Sequence, residues 1–246
     1  MEVQSIVLAF WVPNEYSFAM ESVNSGSEHI WKQTAHRHFH RWAEHYDRDI
    51  INMLLFKPCY RRVQSEVRHW VRRGLKEIRV LDVGCGTGSL AVWYLSGMPE
   101  VASIVGLDMS ENMIAKAREK ASRFPLGGKV SFTLGDAENL PFADNSFDIV
   151  TCCNSFHHYP HQEQAVGEMH RVLADRGRLM LVDGFRDSPI GFFIFDICVA
   201  RVENHVLHCS ARRFKELMTK AGFHDIKQQV FGVCPPAILN TGIVIK

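Results

Sequence analysis

The stretch Val80-Leu81-Asp82-Val83-Gly84-Cys85-Gly86-Thr87-Gly88-Ser89-Leu90 decides the fold of this chain. It reads as a buried strand that ends in a glycine-rich turn and runs straight into a helix. Glycine lacks a Cβ and tolerates positive φ, so such a turn brings backbone close to a nucleotide-like ligand. The first N–H groups of the following helix then face that ligand. The spacing is G-x-G-x-G, with an acid, Asp82, two residues before the first glycine. A dinucleotide-binding turn has G-x-G-x-x-G/A. Here Ser89 stands in the third place and the extra glycine is Gly88.

Working outward, strands and helices alternate. Arg79–Val83 reads as a strand and Gly88–Ser96 as a helix. Ser103–Leu107 is a second strand ending at Asp108, and Ser110 caps a helix to about Ser122. Val130–Leu134 and Phe147–Cys153 are apolar strands. Gln162–Leu173 is helical, Arg178–Asp183 a fifth strand, and Ala211–Ala221 a helix stopped by Gly222. Asp225–Phe231 and Gly242–Ile245 read as the last strands. This alternation implies a parallel sheet covered on both faces. Upstream, Trp31 to about Arg73 has a helical pattern that Pro58 is expected to break in two. The segment Arg186–Ser210 is too long for a plain loop and implies an inserted helix. That helix either roofs a pocket, packs on the core or forms a dimer face.

Size and composition agree with one globular unit. The 246 residues are 46% hydrophobic and 22% charged, enough for a full core. A net charge of +1 provides no global field toward nucleic acid or membrane. Seven cysteines without a C-x-x-C pair read as reduced thiols of a cytoplasmic protein. The vicinal Cys152-Cys153 fits small apolar residues in a core strand. The first apolar run, Ile6 to Val12, is far shorter than the ~20 residues of a membrane span and lacks a basic leader. Residues 1–28 match no pattern and read as an N-terminal arm.

From these residues the chain resembles the class I S-adenosylmethionine (SAM) methyltransferases. It stands nearest the small-molecule enzymes related to ubiquinone and menaquinone biosynthesis. The resemblance rests on Asp82 to Gly88, on Val105-Gly106-Leu107-Asp108-Met109-Ser110 and on Gly135-Asp136-Ala137-Glu138-Asn139-Leu140-Pro141-Phe142. Asn154-Ser155-Phe156-His157-His158-Tyr159, Arg171–Leu179 and Trp42-Ala43-Glu44-His45-Tyr46-Asp47 extend it. It implies an α/β, Rossmann-like, doubly wound seven-stranded sheet over residues 29–246. A helical cap covers about 29–75, and the inserted helix lies at about 186–210.

The resemblance also implies a cofactor, SAM, leaving as S-adenosylhomocysteine (SAH). Asp108 is expected on the ribose hydroxyls and Met109 on the adenine face. Asp136 and Ala137 are expected at the adenine edge. Asp82, Gly84, Cys85, Gly86, Gly88, Asn154 and Tyr46 are expected around the methionine end. His157, His158 and Tyr159 stand where an acceptor meets the methyl and are candidates for a base. Asp148, at the other end of its strand, is structural.

No metal is expected. His36 and His40 share a helix face that reads as solvated, and Glu203, His205, His208 and Cys209 are liganding types that read as structural or as lining a substrate pocket. The basic run from Arg61 to Arg79 reads as a solvated helix face. With no N/D-P-P-Y/F motif, a small-molecule acceptor is expected and nucleic acid is not. The assembly is expected to be a monomer or homodimer. The rivals are a SAM-binding cyclase, isomerase or decarboxylase, and a SAM-binding regulatory subunit without turnover. A nicotinamide oxidoreductase fits the glycine spacing least.

Overall fold

The computed structural model describes residues 50–71, 76–199, 201 and 206–246. The expectations for residues 1–28, His36, His40, Tyr46, Glu203 and His205 lie outside the described residues. Helix α1 is Ile50–Val71. Strand β1, Ile78–Val83, leads through the glycine turn into α2, Leu90–Leu95, which is wound as a π-helix. Then come β2, Val101–Asp108, α3, Glu111–Ser122, β3, Val130–Leu134, and β4, Phe147–Cys153. A 3₁₀ turn at Phe156–His158 precedes α4, Gln162–Val172, and β5, Leu173–Gly184. The π-helix α5, Phe192–Val199, the helix α6, Ala211–Lys220, and strands β6, Phe223–Phe231, and β7, Ala237–Val244, complete the order.

The seven strands form one sheet in the order β3-β2-β1-β4-β5-β7-β6. The first five are parallel, and β7 runs antiparallel between β5 and β6. Side chains alternate across the pleat, and the core divides accordingly. Ile78, Val80, Ile104, Ile149, Met180 and Val182 face a layer built with Val63, Val67 and Trp70 of α1, Leu90 and Leu95 of α2, and Ile114 of α3. Leu81, Val83, Leu107, Val150, Leu179 and Leu181 face the other layer, with Val166 and Met169 of α4 and Phe214 and Leu217 of α6.

Pro58 does not break α1: the helix continues through it. A proline removes one i→i−4 bond, and here Cys59, Val63, Val67 and Trp70 follow it as one buried face that holds the helix on the sheet. Ser110 caps α3 as expected, accepting from the Met113 N–H. Asp148 is structural. Its carboxylate accepts from the Arg79 backbone N–H at 2.8 Å and from the Arg79 Nη2 at 2.9 Å, tying the starts of β1 and β4 together. Arg171 has a similar role. Its guanidinium donates to the carbonyls of Leu140 and Phe142 while Glu168 accepts from the Leu140 N–H, which pins the loop after Asp136 to α4.

Candidate active site

In an open parallel sheet, ligands sit beyond the carboxyl ends of the strands where the strand order reverses. Here the reversal lies between β1 and β4, and an open cleft with about 970 Å³ of empty space lies there. Asp82, Gly84, Cys85 and Gly86 from the β1 turn line it, with Asp108 and Met109 from the end of β2. Asp136 and Ala137 come from the loop after β3, and Asn154, His158 and Tyr159 from the segment after β4.

The glycine turn is built from below. The Gly84 and Cys85 N–H groups donate to the Leu107 carbonyl at 2.8 and 2.9 Å, folding the turn against β2. Gly84 has φ +68°, and a Cβ there would lie 2.3 Å from Ser155 Oγ and 2.6 Å from the Tyr159 hydroxyl oxygen. Gly86 has φ +52°, and a Cβ there would meet no protein atom within 4 Å. Gly86 therefore borders the open space, whereas Gly84 is pressed onto the β4 segment. Lys120 of α3 is buried under the turn and donates to Thr87 Oγ1 and Ser89 Oγ at 2.9 and 2.7 Å.

Two carboxylates border this turn. Asp108 Oδ2 accepts from the Gly86 N–H at 2.8 Å, and Oδ1 accepts from the Ser110 N–H at 2.9 Å. These bonds fix the carboxylate at the end of β2. Asp82 is buried, and Thr151 Oγ1 donates to it at 2.7 Å. Burial pushes the Asp82 carboxyl up to about 7, against the downward pull of the Thr151 hydroxyl and with the nearby Asp108 charge adding to the rise. Asp136 Oδ1 accepts from the Glu138 N–H at 2.9 Å, which tightens its own turn. Asn154 adopts φ +56°, a left-handed conformation in which asparagine is enriched several-fold.

The three base candidates separate. Only the His158 and Tyr159 side chains line the cleft. The Tyr159 hydroxyl lies 3.1 Å from Ser155 Oγ and 3.7 Å from Cys152 Sγ. Burial of that hydroxyl and the neighbouring Cys152 push the phenol well above its ordinary range, so it stays protonated. His157 does not line the cleft. It is buried behind His158 with Nδ1 at 2.7 Å from Asp183 Oδ1. Gly88 is not a lining residue either, because it packs on Phe132, whose ring lies 2.6 Å from where a Cβ would stand. The described residues of α5 do not roof the cleft. Phe195 packs against Gly184 instead, while Phe192 and Phe193 are exposed.

Further lining residues stand outside the predicted set. Tyr60 reaches the cleft from α1, where it looks like one more aromatic on a helix, and its ring lies 5.5 Å from that of Tyr94, tilted by 50°. Met113 and Glu138 also line it, and Glu138 Oε1 accepts from the His161 N–H at 2.7 Å. Glu138 stands within a recognised motif and Met113 just after one, whereas Tyr60 stands in none.

Residues 81–181 match the family model described as a methyltransferase domain. A ubiquinone/menaquinone biosynthesis C-methyltransferase of Geobacter sulfurreducens is 31% identical over 221 residues, covering 79% of this chain and 82% of the relative. Its counterpart in Dinoroseobacter shibae is 35% identical over 135 residues, 55% of this chain; the chain spans 53% of that relative's length. The crystal structure of magnesium protoporphyrin IX methyltransferase from Synechocystis PCC 6803 with bound SAH superposes with a TM-score of 0.68 at 19% identity. That superposition covers 87% of this chain and 99% of the other, and it supports the fold. The chain belongs to the class I SAM-dependent methyltransferases, in the group that contains the ubiquinone/menaquinone biosynthesis enzymes. Their methyl donor is SAM, and the Rossmann-like sheet described above is their fold.

Proposed function

We propose that this chain methylates a small molecule in the cleft beyond β1 and β4, using SAM. The observation that carries the reading is Asp108, a carboxylate fixed at the end of β2 by the Gly86 and Ser110 N–H groups beside an open glycine turn. The residues fit the cofactor. A carboxylate accepts from paired ribose hydroxyls, which is the role proposed for Asp108, with Met109 packed on the base. Asp136 and the Ala137 N–H serve the adenine edge. Asp82, Asn154 and the backbone of Gly84 to Gly86 serve the amino-acid end. When bound, SAM supplies an electrophilic methyl group, so the protein's work is alignment and exclusion of water.

His158 is proposed to meet the acceptor, because it lines the cleft, whereas His157 lies outside it and burial keeps the Tyr159 phenol protonated. The relatives' names make a carbon of a quinone precursor the first acceptor to test, taken in its reduced form because an electrophilic methyl needs an electron-rich carbon. The described residues contain no helix long and apolar enough to cross a membrane. The seven cysteines are free, which supports a cytoplasmic setting. No nucleic-acid partner is proposed, and the assembly is proposed to be a monomer or homodimer.

The test is calorimetry with SAM and SAH, followed by transfer of labelled methyl to demethylmenaquinol. Saturable binding of both ligands and a labelled product are expected. Absence of SAM binding rejects the proposal; binding without transfer to this acceptor rejects only the quinol.

The buried Asp82 adds a pH dependence. With its carboxyl raised to about 7, it is mostly neutral at pH 6 and ionised at pH 8. SAM carries an ammonium at its amino-acid end, so affinity is expected to rise several-fold as pH increases through about 7. Asp82→Asn is expected to flatten that profile. In the ligand-free protein the sign reverses. The folded state holds this proton more tightly than the unfolded chain, so the stability contribution falls as pH rises from about 4 to about 7. A wild-type SAM affinity independent of pH between 6 and 8 removes Asp82 from the amino-acid end.

A further inference from the structure

Next to the cleft, and outside it, three liganding side chains meet. His157 stands in the turn after β4, Asp183 near the end of β5, and His208 in the strap that leads to α6. All three are buried. One donor atom from each lies within 4.8 Å of the others. Asp183 Oδ1 is 2.7 Å from His157 Nδ1 and 4.0 Å from His208 Nδ1.

The position of His208 is built. The Leu207 N–H donates to the His157 carbonyl at 2.7 Å, and the His208 carbonyl accepts from Arg186 Nη1 at 2.9 Å. Its ring stacks on His157 at 4.5 Å and touches Phe195 at 4.9 Å. Yet among the described residues neither of its ring nitrogens has a hydrogen-bond partner. An imidazole always presents at least one donor or acceptor at each nitrogen, and burying such a group unpaired is unfavourable. A buried polar group of this kind calls for a bound water or ion. The carboxylate is partly satisfied, with Oδ2 accepting from the His157 N–H at 3.0 Å and Oδ1 from the Gly184 N–H at 2.7 Å.

We infer that His157, Asp183 and His208 form a binding site for one first-row divalent ion of the zinc type. Two imidazoles and a carboxylate are a donor set that zinc accepts, and three protein ligands leave a fourth position open. At metal–ligand distances of about 2.0–2.2 Å, tetrahedral donors lie about 3.3 Å apart. The observed 2.7 and 4.0 Å bracket that value. The ion replaces the proton that lies between His157 Nδ1 and Asp183 Oδ1, which is released to solvent, and a tilt of the His208 ring, now 28° from the plane of His157, completes the set. The His158 ring, which lines the cleft, lies 4.1 Å from that of His157, so the site adjoins the cleft through this histidine pair. The site is independent of the quinol acceptor and of SAM binding.

The experiment uses the full chain, stripped with chelator and titrated with zinc and with cobalt. One ion per chain is expected, with a cobalt ligand-field spectrum lacking the thiolate charge-transfer band that a cysteine site would give. His208→Gln and Asp183→Asn are each expected to weaken binding more than tenfold, with circular dichroism confirming the fold. Cys234→Ser, at an exposed thiol, is expected to change nothing. In the wild type, zinc is expected to shift the ring-proton resonances of His157 and His208 together. No saturable binding, binding that survives both substitutions, or unshifted His157 and His208 resonances each overturns the site, the last whether or not the variants fold.

Discussion

Asp108→Ala is expected to weaken SAM binding by about a hundredfold or more. The side chain has two tasks that disappear together. It presents a carboxylate where ribose hydroxyls are proposed to bind, and it holds the Gly86 N–H at 2.8 Å, which fixes the glycine turn. A hydrogen bond to a charged group contributes about 1.5–3 kcal/mol, and each 1.4 kcal/mol is tenfold in affinity. Two such bonds to the cofactor therefore account for the expected loss before any loosening of the turn. Asp108→Asn separates the tasks. It keeps one acceptor for the Gly86 N–H and loses the second acceptor and the charge, so an intermediate loss is expected. Calorimetry with SAM and SAH on the three proteins measures this. An Asp108→Ala protein that binds SAM within threefold of the wild type would remove the carboxylate from the ribose position.

The sequence carried the sheet and the floor of the cleft because both depend on local pattern. A glycine turn after an apolar run, an acid at the end of the next strand and a capping serine are one-dimensional features, and each lies where the pattern put it. The C-terminal strands were less legible. The last strand was expected at Gly242–Ile245, but β7 begins at Ala237 and includes buried Asn240 and Thr241. Polar residues in a row read as loop until their partners are known. Here Gln228 Nε2 of β6 donates to Asn240 Oδ1 at 2.7 Å, a bond across strands that no local pattern encodes.

The acceptor side was the least legible for the same reason. His157 and His158 are adjacent in sequence and identical in type, yet one lines the cleft and the other is buried against Asp183, 26 residues further along. Their separation is decided by where β5 ends and by which backbone carbonyl catches the strap at Leu207. His208 looked like one member of a local run with Glu203, His205 and Cys209. In the folded chain its neighbours are His157, Asp183 and Phe195, and the Cys209 thiol turns to Gln162 Oε1 at 3.0 Å.

Gly84→Ala and Gly86→Ala are expected to fail in different ways, although one motif contains both. Gly84→Ala is expected to be a folding defect. A left-handed conformation costs a residue with a Cβ about 1–2 kcal/mol. The new methyl would also stand 2.3 Å from Ser155 Oγ and 2.6 Å from the Tyr159 hydroxyl oxygen, distances no packed atoms keep. Overpacking of that kind adds about 1–3 kcal/mol, and for a chain of this size each kcal/mol lowers Tm by about 2–4 °C. A fall of about 5–15 °C is therefore expected, measurable by thermal melting without any ligand. Gly86→Ala meets no protein atom within 4 Å, so only the conformational term applies and Tm is expected to fall by a few degrees. Its methyl enters the open space that the turn borders, so its main expected effect is on SAM affinity, at least tenfold. If Gly84→Ala melts like the wild type, the contact between the turn and the β4 segment is not what closes the floor of the cleft. If Gly86→Ala binds SAM normally, the cofactor does not approach the turn at this residue, and the proposed placement of its amino-acid end fails.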